Sequence, residues 1–141
     1  DRGPRMIPGD GAGALVFERR ETADARGAKV LATWRGAAAR SGPFEDHHPA
    51  PETVTAALAA AGTPDRIDGI GVPVAFEPSD VDPGTPDHRP FERATGHLGP
   101  AMEAVDVVLA IASANPGETW GVLSYGLFGQ VGAIVVEKAE A

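Results

Sequence analysis

An α/β layer arrangement, strands covered by helices, is the fold class this sequence predicts. Three observations carry it. Two glycine motifs, Gly9-Asp10-Gly11-Ala12-Gly13 and Ser124-Tyr125-Gly126-Leu127-Phe128-Gly129, each lead into a run that reads as a buried strand, Ala14-Leu15-Val16-Phe17 and Ala133-Ile134-Val135-Val136. Two helical stretches, over 51–62 and 100–114, lie between these ends with a strand-like run over 67–74 separating them. Both kinds of element thus alternate along 141 residues, a length that fits one domain with a real core.

In chain order, residues 14–19 read as a strand, 21–26 as a short helix stopped by Gly27, and 29–35 as a second strand with Val30, Leu31 and Trp34 apolar. A polar loop over 41–50 follows. Pro51 and Glu52 open a helix, because proline presets φ where the N–H has no helical partner. Val54, Ala57, Leu58 and Ala61 share one face of it, and Gly62 closes it. Thr63-Pro64-Asp65 turn the chain into the buried strand, apolar at Ile67, Ile70, Val72 and Val74. Residues 75–90, rich in proline and aspartate and without hydrophobic period, are expected to form a surface excursion. In the stretch 100–114 only Glu103 and Asp106 are charged, so burial on most sides of that helix is expected. Asn115-Pro116-Gly117 ends it, and residues 120–123 and 131–136 make a hairpin around the second glycine motif, with Gly126 and Gly129 expected at positive φ.

Composition limits the chemistry. Hydrophobic residues make up 43% and no long apolar run lacks charge, so a globular, cytoplasmic protein without a membrane span is expected. No apolar stretch follows Asp1-Arg2-Gly3-Pro4 to make a secretory signal, and a chain that starts without Met is expected to be processed or truncated. The net charge of −8 disfavours nucleic acid and anionic membrane as partners. Residues 1–40 reverse that balance, holding eight of the twelve Lys and Arg against five acids. This stretch is either a solvated basic edge or a docking place for an acidic partner. With no cysteine, the chain has no disulfide, no thiolate metal site and no cysteine nucleophile.

No metal or cofactor site is expected. His47 and His48 beside Asp46 are adjacent on a loop and do not share a face. The acidic run 77–82 lacks the alternation and closing Glu of a calcium loop. A dinucleotide loop has a helix after its glycines, whereas residues 9–13 lead into a strand-like run.

The opening Asp1-Arg2, the run Ile7-Pro8-Gly9-Asp10-Gly11-Ala12-Gly13, the segment 21–28, Asp46 with His48 and Pro51, Gly96-His97 and the C-terminal glycine loop together resemble the second half of a β-ketoacyl synthase of the thiolase superfamily. The likeness extends over residues 1–141 and implies a thiolase-like C-terminal half, a mixed five-stranded sheet layered with helices, whose first half with the nucleophile region is missing. It also implies the partners: a ketosynthase-like chain and an acyl carrier protein.

Measured against that family the site is degenerate. Decarboxylative condensation needs a cysteine thiolate and two imidazoles helped by a lysine. Where the resemblance places the first histidine, the sequence reads Pro73-Val74-Ala75, and proline has neither an ionisable group nor a backbone donor. His97 stands where the second histidine belongs, but Glu92 takes the lysine's place, and Leu123 and Leu127 match the family's Asn and gating Phe. His97 is thus the one catalytic candidate, or else a hydrogen-bonded core histidine. Leu127, Phe128, Met102 and Pro73 are the candidates for an acyl pocket.

The expected function is a non-catalytic, chain-length-factor-type subunit of a polyketide or fatty-acid condensing complex, supplying dimer surface and acyl pocket, with no condensing activity in this chain alone. The alternative is the C-terminal piece of a split or cleaved synthase or acyltransferase whose cysteine lies on another chain. A free-standing interaction domain is a third reading and would need a core closed without the first half.

Overall fold

The computed structural model describes residues 7–45, 48–63, 67–73, 87–126 and 129–140. Its centre is a five-stranded sheet in the order β1-β7-β6-β4-β5, formed by β1 (Ala32–Ser41), β4 (Gly69–Gly71), β5 (His88–Arg89), β6 (Thr119–Tyr125) and β7 (Gln130–Lys138). β7 runs antiparallel to both β1 and β6, whereas β4 lies parallel to both β6 and β5. The sheet is mixed, as the resemblance implies. A small two-stranded ribbon, β2 (Phe44–Glu45) with β3 (His48–Pro49), occupies part of the expected polar loop.

Helices α2 (Pro51–Ala60) and α4 (Met102–Ser113) cover opposite faces, while α1 (Arg20–Ala25) and α3 (Glu92–Thr95) are short. Strand alternation explains the two layers. Leu123, Val131, Ala133 and Val135 point to one face and meet Val54, Ala57, Leu58 and Ala61 of the α2 end, together with Ile67, Ile70 and Val72. Trp120, Val122 and Val136 point to the other and meet Val107 and Ala110 of α4 and Phe91. The face of α2 read from the sequence is the one that is buried.

Four expectations change. Residues 14–19 belong to no strand, and Val16 and Phe17 stand 84% and 62% exposed. An apolar pattern does not by itself make a strand, which needs a hydrogen-bonded neighbour, and among the described residues none pairs with this segment. The second strand starts at Ala32 and runs on through Ser41, because pairing with β7 overrides the weak strand propensity of Gly36 and the alanines after it. The helix over 100–114 begins as a single 3-10 turn, Gly99–Ala101, and α4 buries one stripe only: Met102, Asp106, Val107 and Ala110 are buried, while Val108 is 43% exposed. Finally, the end of the expected surface excursion is the edge strand β5, aligned with β4 by backbone bonds from Ile70 N to the Asp87 carbonyl and Val72 N to the Arg89 carbonyl. Residues 74–86 lie outside the described ones, so the rest of that expectation has no structural counterpart here.

The hairpin stands as read. β6 and β7 pair from Thr119 opposite Glu137 to Tyr125 opposite Val131. Gly129 has φ 74°, but Gly126 is not at positive φ, which corrects half of the glycine expectation.

Candidate active site

The site lies where parallel β4 and β6 end. In open α/β sheets the crevice beyond the carboxyl ends of strands is the usual ligand position, since neighbouring connections leave in different directions there. Pro73, two residues past β4, is buried at this edge, and Tyr125 closes β6. Phe91 anchors the next piece: its ring stacks on Trp120 with centroids 6.3 Å apart, fixing the start of α3 against the sheet.

At the end of α3 the chain must reverse, and Gly96 makes the turn with φ 71° and ψ 176°, a region essentially confined to glycine. A Cβ there would stand 2.9 Å from Gly9 N, and one at Gly9 would stand 2.2 Å from the Thr95 carbonyl oxygen. The turn lets His97 N donate to the Ile7 carbonyl at 2.7 Å and Gly9 N donate to the His97 carbonyl at 3.0 Å. The first glycine motif and the Gly96-His97 motif, distant in sequence, therefore form one joint.

His97 does not sit in a core. Its side chain is 35% exposed, and Nδ1 lies 3.0 Å from Oε1 of Glu92, itself 12% exposed. An ionised carboxylate only accepts, so this contact places the hydrogen on Nδ1 and leaves the Nε2 lone pair of a neutral ring unclaimed by Glu92. The expected clash of a carboxylate in a cation's place thus becomes a direct carboxylate–imidazole pair.

Asp106 is the residue that sequence reasoning missed. It follows Met102 by one helical turn on the same buried stripe of α4 and is only 3% exposed. Burial raises its carboxyl to about 6, and the negative charges of Glu103 and Glu92 add to that. Burial likewise raises the Tyr125 hydroxyl, with Glu92 again contributing, so one carboxylate acts on both α4 and β6. Its place four residues after Met102 inside an apolar stripe was the one sign in the sequence, and a weak one, because an acid on a helix is ordinarily solvated.

Of the expected pocket residues, Met102 and Pro73 are buried, whereas Leu127 and Phe128 fall outside the described residues, as do Asp46 and His47. A groove of about 760 Å³ lies elsewhere, between α4 and the stretch from Ala14 to Trp34. Leu15, Val16, Leu31, Trp34, Val108 and Ile111 line it, and none of His97, Glu92, Met102 or Pro73 does. Among the described residues no group of three or more His, Asp or Glu is placed to hold a metal ion, and no helix is long and apolar enough to cross a membrane.

No protein-family model and no curated protein matches the sequence. Solved structures do match the fold. A chain of a type II polyketide synthase complex of acyl-carrier protein and ketosynthase, bound to a hexaketide, superposes with a TM-score of 0.63 at 18% identity over 86% of this chain and 42% of its own. The oxazolomycin ketosynthase domain of Streptomyces albus JA3453 gives 0.63 at 18% identity, covering 86% of this chain and 32% of its own. A thiolase from Ascaris suum in complex with coenzyme A gives 0.59 at 18% identity over 85% and 34%. The chain has a thiolase-like α/β fold and spans well under half of each of these proteins.

Proposed function

We propose that this chain is the second half of a ketosynthase-like, chain-length-factor-type subunit in a cytoplasmic polyketide or fatty-acid condensing complex. It supplies a dimer surface and part of an acyl pocket without doing the condensation. The observation that carries the reading is the pair Glu92–His97 at 3.0 Å, a carboxylate held against the imidazole where decarboxylative condensation requires a cation. Pro73, buried past the end of β4, supports it, since proline offers no imidazole where the resemblance places the first histidine. Met102 and Pro73, with Leu127 and Phe128, form the acyl-pocket wall in this reading, and the partners are a ketosynthase-like chain carrying the cysteine and an acyl carrier protein.

Reconstitution with such a ketosynthase and an acyl carrier protein tests both parts. Leu127→Phe is expected to shorten the products, read by mass spectrometry, because an added ring in a packed pocket forces its neighbours off their rotamers at roughly 1–3 kcal/mol. An identical product distribution from a well-folded variant overturns the pocket assignment.

One observation favours the split-enzyme alternative: His97 is part-exposed and oriented by its carboxylate, an arrangement that suits a general base. In that case removing the imidazole lowers turnover by about a hundredfold or more with folding unchanged.

A further inference from the structure

We propose that Asp106 is a proton-controlled latch at the corner of α3 and α4: with its carboxyl neutral the first turns of α4 stay seated on the sheet, and once it ionises the neighbouring carboxylates loosen that corner. The geometry has three parts. Asp106 is 3% exposed, and among the described residues no donor reaches its Oδ1. Glu103 lies three residues earlier on the same helix, and Glu92 approaches from α3 with its oxygen already engaged by His97. Both act on Asp106 as like charges.

Among the described residues the charges that act on Asp106 are the two carboxylates; α3 also carries the cation Arg93, which is not one of them. The titratable group of β6 is the Tyr125 hydroxyl, raised further by burial, and its ring packs against the cluster on the α2 face. β4 is Gly69-Ile70-Gly71 and titrates nothing. β7 carries Glu137 and Lys138 at its end, but Lys138 donates to the Ile111 carbonyl at 2.8 Å, at the far terminus of α4, and Glu137 bonds Arg35 of β1. The turn Gly99–Ala101 has no ionisable side chain. His97 belongs to this corner as well, and its Nδ1 is paired with Glu92.

The sign follows from the raised carboxyl, about 6 against an ordinary 3.8. The folded state binds this proton more tightly than the open state does, so the latch is fully closed below about pH 4 and loosens as pH rises toward 6. Above that the loosening is constant.

Hydrogen exchange of the α4 amides, in the full-length protein carrying this chain and corrected for intrinsic rates, reads the effect. From pH 4.5 to 7.5 protection is expected to fall on the order of thirtyfold, the factor that dissociation constants at 3.8 and about 6 give. Asp106→Asn, which keeps the shape and removes the charge, is expected to hold its protection across the range. Glu103→Gln, which removes one of the like charges that raise the Asp106 carboxyl, is expected to move the midpoint to lower pH. Unchanged protection in the wild type overturns the proposal, as does an equal loss in a folded Asp106→Asn. If the Asn variant does not fold, a Glu103→Gln midpoint that stays in place overturns it.

Discussion

The two faces of the sheet are built differently. On the α2 face every core member, from Val54 and Ala57 to Ile70, Leu123 and Val135, is at most 7% exposed. On the α4 face the inner residues Trp120, Val122, Val107 and Ala110 are equally buried, yet an apolar rim stays open: Val16, Phe17, Leu31, Trp34 and Val108 are 40% to 84% exposed. Phe17 and Trp34 meet edge to face at 5.0 Å, so the rim holds together as one patch beside the groove. A single chain thus closes one side of its sheet and leaves the other for something else to cover. Contiguous apolar surface of this kind marks an interaction site or an aggregation liability.

The largest expected effect breaks the closed face. Ile70 is fully buried under α2, so Ile70→Ala removes packing that cannot relax and is expected to destabilise by about 2–5 kcal/mol. Val108→Ala on the open rim is expected to change the stability of the chain alone by less than about 0.5 kcal/mol. Denaturant midpoints of the two variants measure the contrast, and similar losses would mean that the α4 face is covered in solution. Adding the proposed first half should then make the Val108 effect grow while that of Ile70 stays the same.

The joint between the glycine motifs comes next. Gly96→Ala forces a side chain into a glycine-only conformation with Gly9 N 2.9 Å away, and a loss of about 1–3 kcal/mol is expected. Gly27→Ala is the control. It also has positive φ, 66°, but nothing lies within 4 Å of the added carbon, so its cost should be the smaller. Equal thermal shifts would show that the Gly9–Gly96 approach is not tight.

A smaller effect sharpens the contrast from the open side. Val16→Lys, at 84% exposure, leaves packing intact and is expected to reduce self-association of the isolated chain without moving its unfolding midpoint by more than about 0.5 kcal/mol. Light scattering at matched concentrations measures it; unchanged association would place the sticky surface elsewhere.

Much of this was legible because local patterns and tertiary needs agreed. The α2 stripe, the hairpin strands and the close approach at Gly9 each follow from spacing or from the absence of a side chain, and the sheet satisfies all three. The failures share a cause. Residues 14–19 carry a strand pattern, but a strand also needs a neighbour, and periodicity says nothing of where that neighbour comes from. The same holds for α4, whose apolar residues indicated burial on most sides while one side here has no cover. At the site, Gly96-His97 and Glu92 were readable as positions, whereas the bond between Glu92 and His97 depends on how Gly96 turns the backbone. Asp106 needed burial to become visible, since an acid on a helix is ordinarily solvated.

The smallest expected effect concerns His97 itself. Its ring is 35% exposed and its partner is on the adjacent short helix, so the hydrogen bond between them is open to solvent and worth about 1 kcal/mol or less. His97→Ala keeps the backbone bonds to Ile7 and Gly9, which hold the joint whatever the side chain. The variant should therefore fold with a small loss and, in the reconstituted complex, leave condensation within a few-fold of wild type, because a lone imidazole paired with a carboxylate lacks the cation and second imidazole that the step needs. Glu92→Gln should behave alike, keeping a hydrogen bond to the ring. Turnover assays on both variants, alongside their melting curves, decide the matter. A drop beyond about a hundredfold for His97→Ala with an unchanged melt would make the imidazole a general base and turn the assignment to the split-enzyme reading.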